Sequence, residues 1–156
     1  MIVAFCGHKN IYQSDLISQQ VKQIILKLVE EDADTFLLGG YGSFDSIAAV
    51  AVRDLKKEYP GLRSILVLPY LNRDYDASLY DESVYPPIED APKKFAISRR
   101  NEWMVEKADV IIAYVDHDWG GAAATLRYAE RKKKRIISVV QDNPRGDITQ
   151  TKEGLI

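Results

Sequence analysis

Apolar residues along this chain gather in short runs that end at glycine, and between those runs they recur at helical spacing. Met1 to Cys6 is an apolar run closed by Gly7, the pattern of a strand buried on both faces rather than an alternating edge strand. From Ser14 to Glu30, apolar Leu16, Ile17, Val21, Ile24, Ile25, Leu28 and Val29 predict an amphipathic helix, with Ser14 or Asp15 placed to cap it. Thr35 to Leu38 is a second strand pattern that stops at Gly39-Gly40, after which Ile47, Ala48, Val50, Ala51 and Leu55 mark a second helix. Pro60-Gly61 ends that helix, and Ser64 to Leu68 predicts a third strand. Tyr70 to Lys94 has little periodicity, is rich in Asp and Pro, and reads as a long loop carrying Tyr70, Tyr75, Tyr80 and Tyr85. Helical pattern returns from Phe95 to Lys107, and Asp109 to Val115 is the strongest strand signal in the chain. Gly120-Gly121 opens a helix through about Lys132, Arg135 to Val140 predicts a fifth strand, and a polar tail follows.

Strands alternating with helices imply right-handed crossovers and a mostly parallel sheet covered on both faces. The expected architecture is α/β, a Rossmann-like three-layer sandwich of about five strands. A single domain is expected over residues 1–156, with its core in about 1–140. The 156 residues, 46% hydrophobic and 28% charged, fit one globular unit and exclude disordered or disulfide-stapled classes. With 21 Lys and Arg against 23 Asp and Glu, the net charge is −2, which gives no global positive field and makes nucleic acid an unlikely partner. One Cys and two His are too few for a structural zinc site, and the residues imply neither a metal nor a cofactor. The lone cysteine fits a reducing compartment. No apolar run approaches a membrane span, and Met1 leads straight into Ile-Val-Ala-Phe-Cys without a basic leader. A cytoplasmic location, away from membranes, is expected.

In such sheets ligands bind outside the carboxyl ends of the strands, where strand order reverses. Gly39-Gly-Tyr-Gly-Ser-Phe-Asp45 leaves a strand and enters a helix, a place where backbone N–H groups and the helix dipole favour an anion such as phosphate. No Lys follows the glycines, so it is no Walker A loop, and Asp45 stands where a dinucleotide fingerprint has its third glycine. The bland alternative is a tight turn capped by Ser43 or Asp45. Asp116-His-Asp-Trp-Gly120-Gly-Ala-Ala-Ala-Thr125 repeats the arrangement. Its small residues serve either close approach of a ligand or close helix–sheet packing.

Gly7 and His8, at the end of the first strand, would project into the same crevice. Cys6, one step inside that strand, reads as packing rather than a nucleophile. Arg99 and Arg100 cannot share a helical face, so one would meet phosphate or carboxylate and the other solvent. Glu102, with Asp45, Asp116 and Asp118, supplies candidate carboxylates for acid–base cleavage of a glycosidic bond. The run Arg127, Arg131 to Lys134 and Arg135 lies at a helix C-terminus, where cations complement the dipole. The four loop tyrosines either stack on a base or anchor the loop.

Gly7-His8, Gly39-Gly-Tyr-Gly-Ser-Phe-Asp45, Arg99-Arg-Asn-Glu-Trp-Met104 and Gly120-Gly-Ala-Ala-Ala-Thr125 together, in this order, resemble the SLOG superfamily, in particular its YpsA-like and DUF1273-like members. That superfamily includes the lysine-decarboxylase-like LOG phosphoribohydrolases and the DprA fold. The resemblance implies a Rossmann-like domain for nucleotides or nucleotide-derived signals. By it, Gly40, Gly42, Ser43, Gly120, Gly121 and Thr125 would line a phosphate and ribose pocket, with His8 and one of Arg99 and Arg100 beside it. LOG enzymes carry Pro-Gly-Gly-x-Gly-Thr-x-x-Glu, whereas here Trp119 precedes the glycine pair and no Glu lies three residues after Thr125. The acidic catalytic residue is therefore unmatched. The expected function is binding of a nucleotide or nucleotide-derived small molecule, as a sensor or sequestering domain that can form a homo-oligomer. The alternatives are cleavage or transfer of an N-glycosidic bond with Glu102 and Asp45 as catalytic groups, and a protein-interaction module.

Overall fold

The computed structural model describes residues 1–71 and 74–139, together with the strand Glu153–Gly154. In chain order the elements are β1 (Ile2–Gly7), α1 (Ser14–Glu30), β2 (Thr35–Leu38), α2 (Ser43–Lys56), β3 (Arg63–Val67), β4 (Glu82–Val84), α3 (Ala96–Lys107), β5 (Val110–Tyr114), α4 (Gly120–Arg131), β6 (Arg135–Ser138) and β7 (Glu153–Gly154). They form one sheet in the order β4-β3-β2-β1-β5-β6-β7. The first six of these run parallel, and β7 lies antiparallel to β6. Helices cover both faces. Along β1, Val3 and Phe5 pack with α1 and α2, while Ala4 and Cys6 pack with α3 and α4. This is why the run carries no polar alternation. Among the described residues no helix is long and apolar enough to cross a membrane.

The Rossmann-like α/β architecture is as expected, with strands at all five predicted places and a sixth parallel strand besides. That strand, β4, sits in the segment read as a loop, and three residues of Glu-Ser-Val leave no period to detect. Other interactions hold it: Arg63 forms a two-pronged pair with Glu82, and the Asp81 carboxylate accepts the Ser64 N–H at 2.9 Å while Lys56 pairs with it. Three of the four tyrosines anchor this segment. Tyr70 donates to the Lys93 carbonyl at 3.2 Å, Tyr75 lies 3.2 Å from Ser83 Oγ, and Tyr80 packs on the core. The predicted cap of α1 is corrected: Gln13, in the left-handed region at φ 59°, takes the N-cap, with no side-chain cap. The polar tail lies outside the described residues apart from β7.

From β1 the chain moves outward through β2, β3 and β4, then returns by α3 to β5 on the other side of β1. Strand order reverses between β1 and β5, whose last residues Gly7 and Tyr114 are register partners. Chemistry is expected just beyond those two residues.

Candidate functional site

A pocket of about 370 Å³ opens there, a volume suited to a small ligand. Four segments wall it: the residues after β1, the β2–α2 turn, the inner face of α3, and the β5–α4 turn. Gly7 is required at its place because a Cβ would come within 2.2 Å of the Phe44 ring. That ring fills the core beside the pocket floor.

His8 follows, almost fully buried. The backbone N–H of Asp116 donates to its Nε2 at 2.8 Å, so this nitrogen presents its lone pair. Burial, and then the neighbouring His117, holds the His8 pKa below its ordinary value, and the opposing pull of the Asp116 carboxylate does not reverse this. The His117 ring stacks on His8 at 3.6 Å with planes 7° apart, and Trp119 stacks on His117 at 4.1 Å and 30°. Asp116 Oδ1 lies 2.9 Å from His8 Nε2 and 2.7 Å from His117 Nδ1. These three donor atoms are within 4.8 Å of one another. Imidazole lone pairs, however, lie in the ring plane, and two rings stacked face to face cannot aim them at one ion. As placed, the cluster is a hydrogen-bonded ring stack rather than a metal centre.

The two glycine turns differ. In the first, Gly39, Tyr41 and Asp45 line the pocket, whereas Gly40, Gly42 and Ser43 do not. A Cβ on Gly40 would meet Leu66 at 2.5 Å, and one on Gly42 would meet the Lys9 backbone at 2.7 Å. The Ser43 N–H is taken by the Lys9 carbonyl at 2.8 Å. The Asp45 carboxylate accepts the Tyr41 N–H at 2.9 Å instead of capping α2. In the second turn, Gly120, Gly121 and Thr125 all line the pocket, and a Cβ at either glycine would meet nothing within 4 Å. Close helix–sheet packing therefore does not explain these glycines. Thr125 donates its hydroxyl back to the Gly121 carbonyl at 2.8 Å, and Trp119 at the N-cap of α4 makes no side-chain cap.

Of the arginine pair, Arg100 turns inward. It is 1% exposed, and Nη1 donates to the carbonyls of Gly39 and Val67, each at 2.8 Å, bracing the ends of β2 and β3 beside the pocket. Arg99 is exposed and pairs with Glu102 at 3.6 Å, and neither residue lines the pocket. Asp116 also stands behind the wall, its backbone N–H donating to His8 and its carboxylate 2.7 Å from His117 Nδ1. The Cys6 thiol donates to the Ala122 carbonyl at 3.1 Å, and burial pushes its pKa up to about 12, so it stays protonated. Within the basic run, Arg135 pairs with Glu31, Lys134 donates to the Glu106 carbonyl, and Arg127 donates to the Asp118 carbonyl.

The residue reading missed Tyr41, Asn101, His117 and Trp119 as wall residues. Their signal was present in part: His117 and Trp119 follow the strongest strand directly, before its glycine pair.

Fold and pocket define a Rossmann-like domain with a ligand-sized cavity at its switch point. The YpsA family model, described as the YspA SLOG family, matches residues 8–141, and the chain belongs to that family, as the motif order implied. It is similar to a UPF0398 protein of Bacillus velezensis, 22% identical over 96% of each chain. Among solved structures it is similar to the DNA processing protein A of Helicobacter pylori, at TM-score 0.65 and 20% identity, over 92% of this chain and 67% of that one. The molybdenum cofactor carrier protein of Chlamydomonas reinhardtii is also similar, at TM-score 0.56 and 17% identity, over 88% and 76%.

One expectation is corrected by this comparison. The net charge argues against nucleic acid as a partner, yet the Helicobacter pylori protein with this fold is described by its single-stranded DNA binding mode. Net charge sets only the long-range field. A strand of nucleic acid is held by local cations and stacking rings, which a sum over the surface does not register.

Proposed function

We propose that the pocket binds a nucleotide or nucleotide-derived small molecule, with phosphate at the start of α4, and that the protein senses or sequesters it. The observation carrying this reading is the open second turn. Gly120 and Gly121 face empty space beside a cavity of about 370 Å³, and the first-turn N–H groups of a helix lack intrahelical partners and favour an anion. Asp45 and Asn101 in the wall offer hydrogen bonds to sugar or base. Turnover is less supported. Glu102 lies outside the pocket, which leaves Asp45 without the second catalytic carboxylate that glycosidic cleavage uses. A second reading, single-stranded nucleic acid, is favoured by the fold shared with the Helicobacter pylori protein.

The test is a thermal-shift series with AMP, ADP-ribose, cyclic dinucleotides and an oligothymidine strand, followed by mass spectrometry of each mixture. A ligand that binds the native state raises the melting temperature by mass action. A shift with an intact nucleotide supports the proposal. A shift with free base released means an enzyme, a shift only with the oligonucleotide means a strand-binding domain, and no shift removes the reading.

A further inference from the structure

We propose that Trp119 is the stacking platform for a nucleobase, so that this pocket selects its ligand by a flat heteroaromatic ring and prefers a purine to a pyrimidine; this rests on the nucleotide reading above. Trp119 lines the pocket yet is 70% exposed. One face of its indole is covered by His117, and His117 is backed by buried His8, which meets the Tyr114 ring edge-on at 6.0 Å. A run of rings from the core to the pocket mouth fixes the outermost one in orientation while leaving its far face bare. Ordering that side chain on binding then costs little, which is what preorganisation supplies. The rest of the wall is largely apolar, with Phe5, Ile97, Met104 and Ala122, and a few polar groups are set into it, which suits a flat ring with a polar edge. Tyr41, 45% exposed, carries the Lys9 ammonium 5.3 Å from its ring centre, and Asp45 and Asn101 present hydrogen-bonding atoms. A base has both the π-face for Trp119 and the polar edge for those groups, and a purine offers the larger face.

The experiment uses the full chain and three probes: AMP, UMP and ribose 5-phosphate, which has the sugar and phosphate but no ring. Trp103 is the other tryptophan, and it packs in the α3–α4 layer. In a Trp103→Phe background, emission therefore reports Trp119 alone. AMP is expected to quench it and to bind more tightly than UMP. Trp119→Ala should weaken AMP by about tenfold or more and leave ribose 5-phosphate unchanged, while Trp119→Phe restores most of the AMP affinity. Because the indole is exposed, the melting temperature of Trp119→Ala should match the parent. Equal AMP affinity in parent and Trp119→Ala overturns the stacking role alone, as does an equal loss for AMP and ribose 5-phosphate. Failure of all three probes to bind the parent overturns this inference, and if ADP-ribose and cyclic dinucleotides also give no shift, the nucleotide reading falls with it.

Discussion

In the turn between β2 and α2, Gly40 and Gly42 have φ of 66° and 92° and are walled in, one by Leu66 and the other by the Lys9 backbone. In the turn between β5 and α4, Gly120 has φ 90°, and neither it nor Gly121 has anything within 4 Å of a would-be Cβ. Both segments read as strand, glycine pair, helix. The first uses its glycines to let the β1–α1 loop and β3 close over the chain, and the second uses them to keep a helix start uncovered. A glycine motif thus specifies backbone freedom, and the neighbours decide whether that freedom is spent on packing or left for a ligand.

The largest expected effect lies on the closed turn. Arg100→Met removes the cation that ties the carbonyls of Gly39 and Val67 and leaves buried acceptors unpaired. The expected loss is about 3–5 kcal/mol in urea denaturation. Arg99→Met, which removes only an exposed helix pair, should change stability by less than about 0.5 kcal/mol. Equal losses would mean that Arg100 does not brace the turn. Next comes Gly42→Ala, which combines a φ unfavourable for alanine with a 2.7 Å contact to backbone that cannot rotate away. It should cost about 2–4 kcal/mol, and a loss under about 1 kcal/mol would show that the Lys9 loop gives way.

The sequence reading located the fold better than the site, for a physical reason. The five long strands and four helices are written in hydrophobic period, which burial imposes on every residue of an element. β4 escaped because pairing by register, through Asp81 and the Arg63–Glu82 pair, needs no apolar pattern. Within the site, the period of α3 allowed only one arginine to turn inward, and it left open which. The residue chosen, Arg100, depends on carbonyls 61 and 33 residues away. Trp119 was visible only as a departure from a motif. Nothing local distinguishes a bare, stacked indole from a buried one; the stack on His117 and His8 arises because β1 and β5 end side by side.

That ring stack also makes the stability of the fold depend on pH. His8 faces the Asp116 N–H and carboxylate, the His117 ring and the Tyr114 ring, and its pKa in the folded state lies below its ordinary value of 6.5. As pH falls below 6.5 the unfolded chain takes the proton first, so this contribution to stability is present above 6.5 and is lost as pH falls towards the folded value. Glu31, Asp34, Asp76 and Asp81, all held below the usual carboxylate values, lose their contributions at lower pH still. Melting temperature should therefore drop between about pH 7 and pH 5, and by less in His8→Gln. The same slope in both proteins would remove His8 as the cause.

The smallest effect is the sharpest test of the comparison. Gly121 lies in the first turn of α4, outside the positive-φ region, and its Cβ would point into open space. Alanine there relieves the entropy cost of glycine in a helix, so Gly121→Ala should be neutral or raise stability by up to about 1 kcal/mol. The added methyl nevertheless enters the cavity where phosphate would approach the backbone. Melting the variant with and without AMP separates the two consequences: an unchanged or higher melting temperature alone, with a smaller AMP-induced rise. Alanine at 121 that keeps the full rise would show that the second turn is open for some reason other than a ligand at the backbone. A marked loss of stability would show that the turn is packed after all, and the two glycine turns would then be alike.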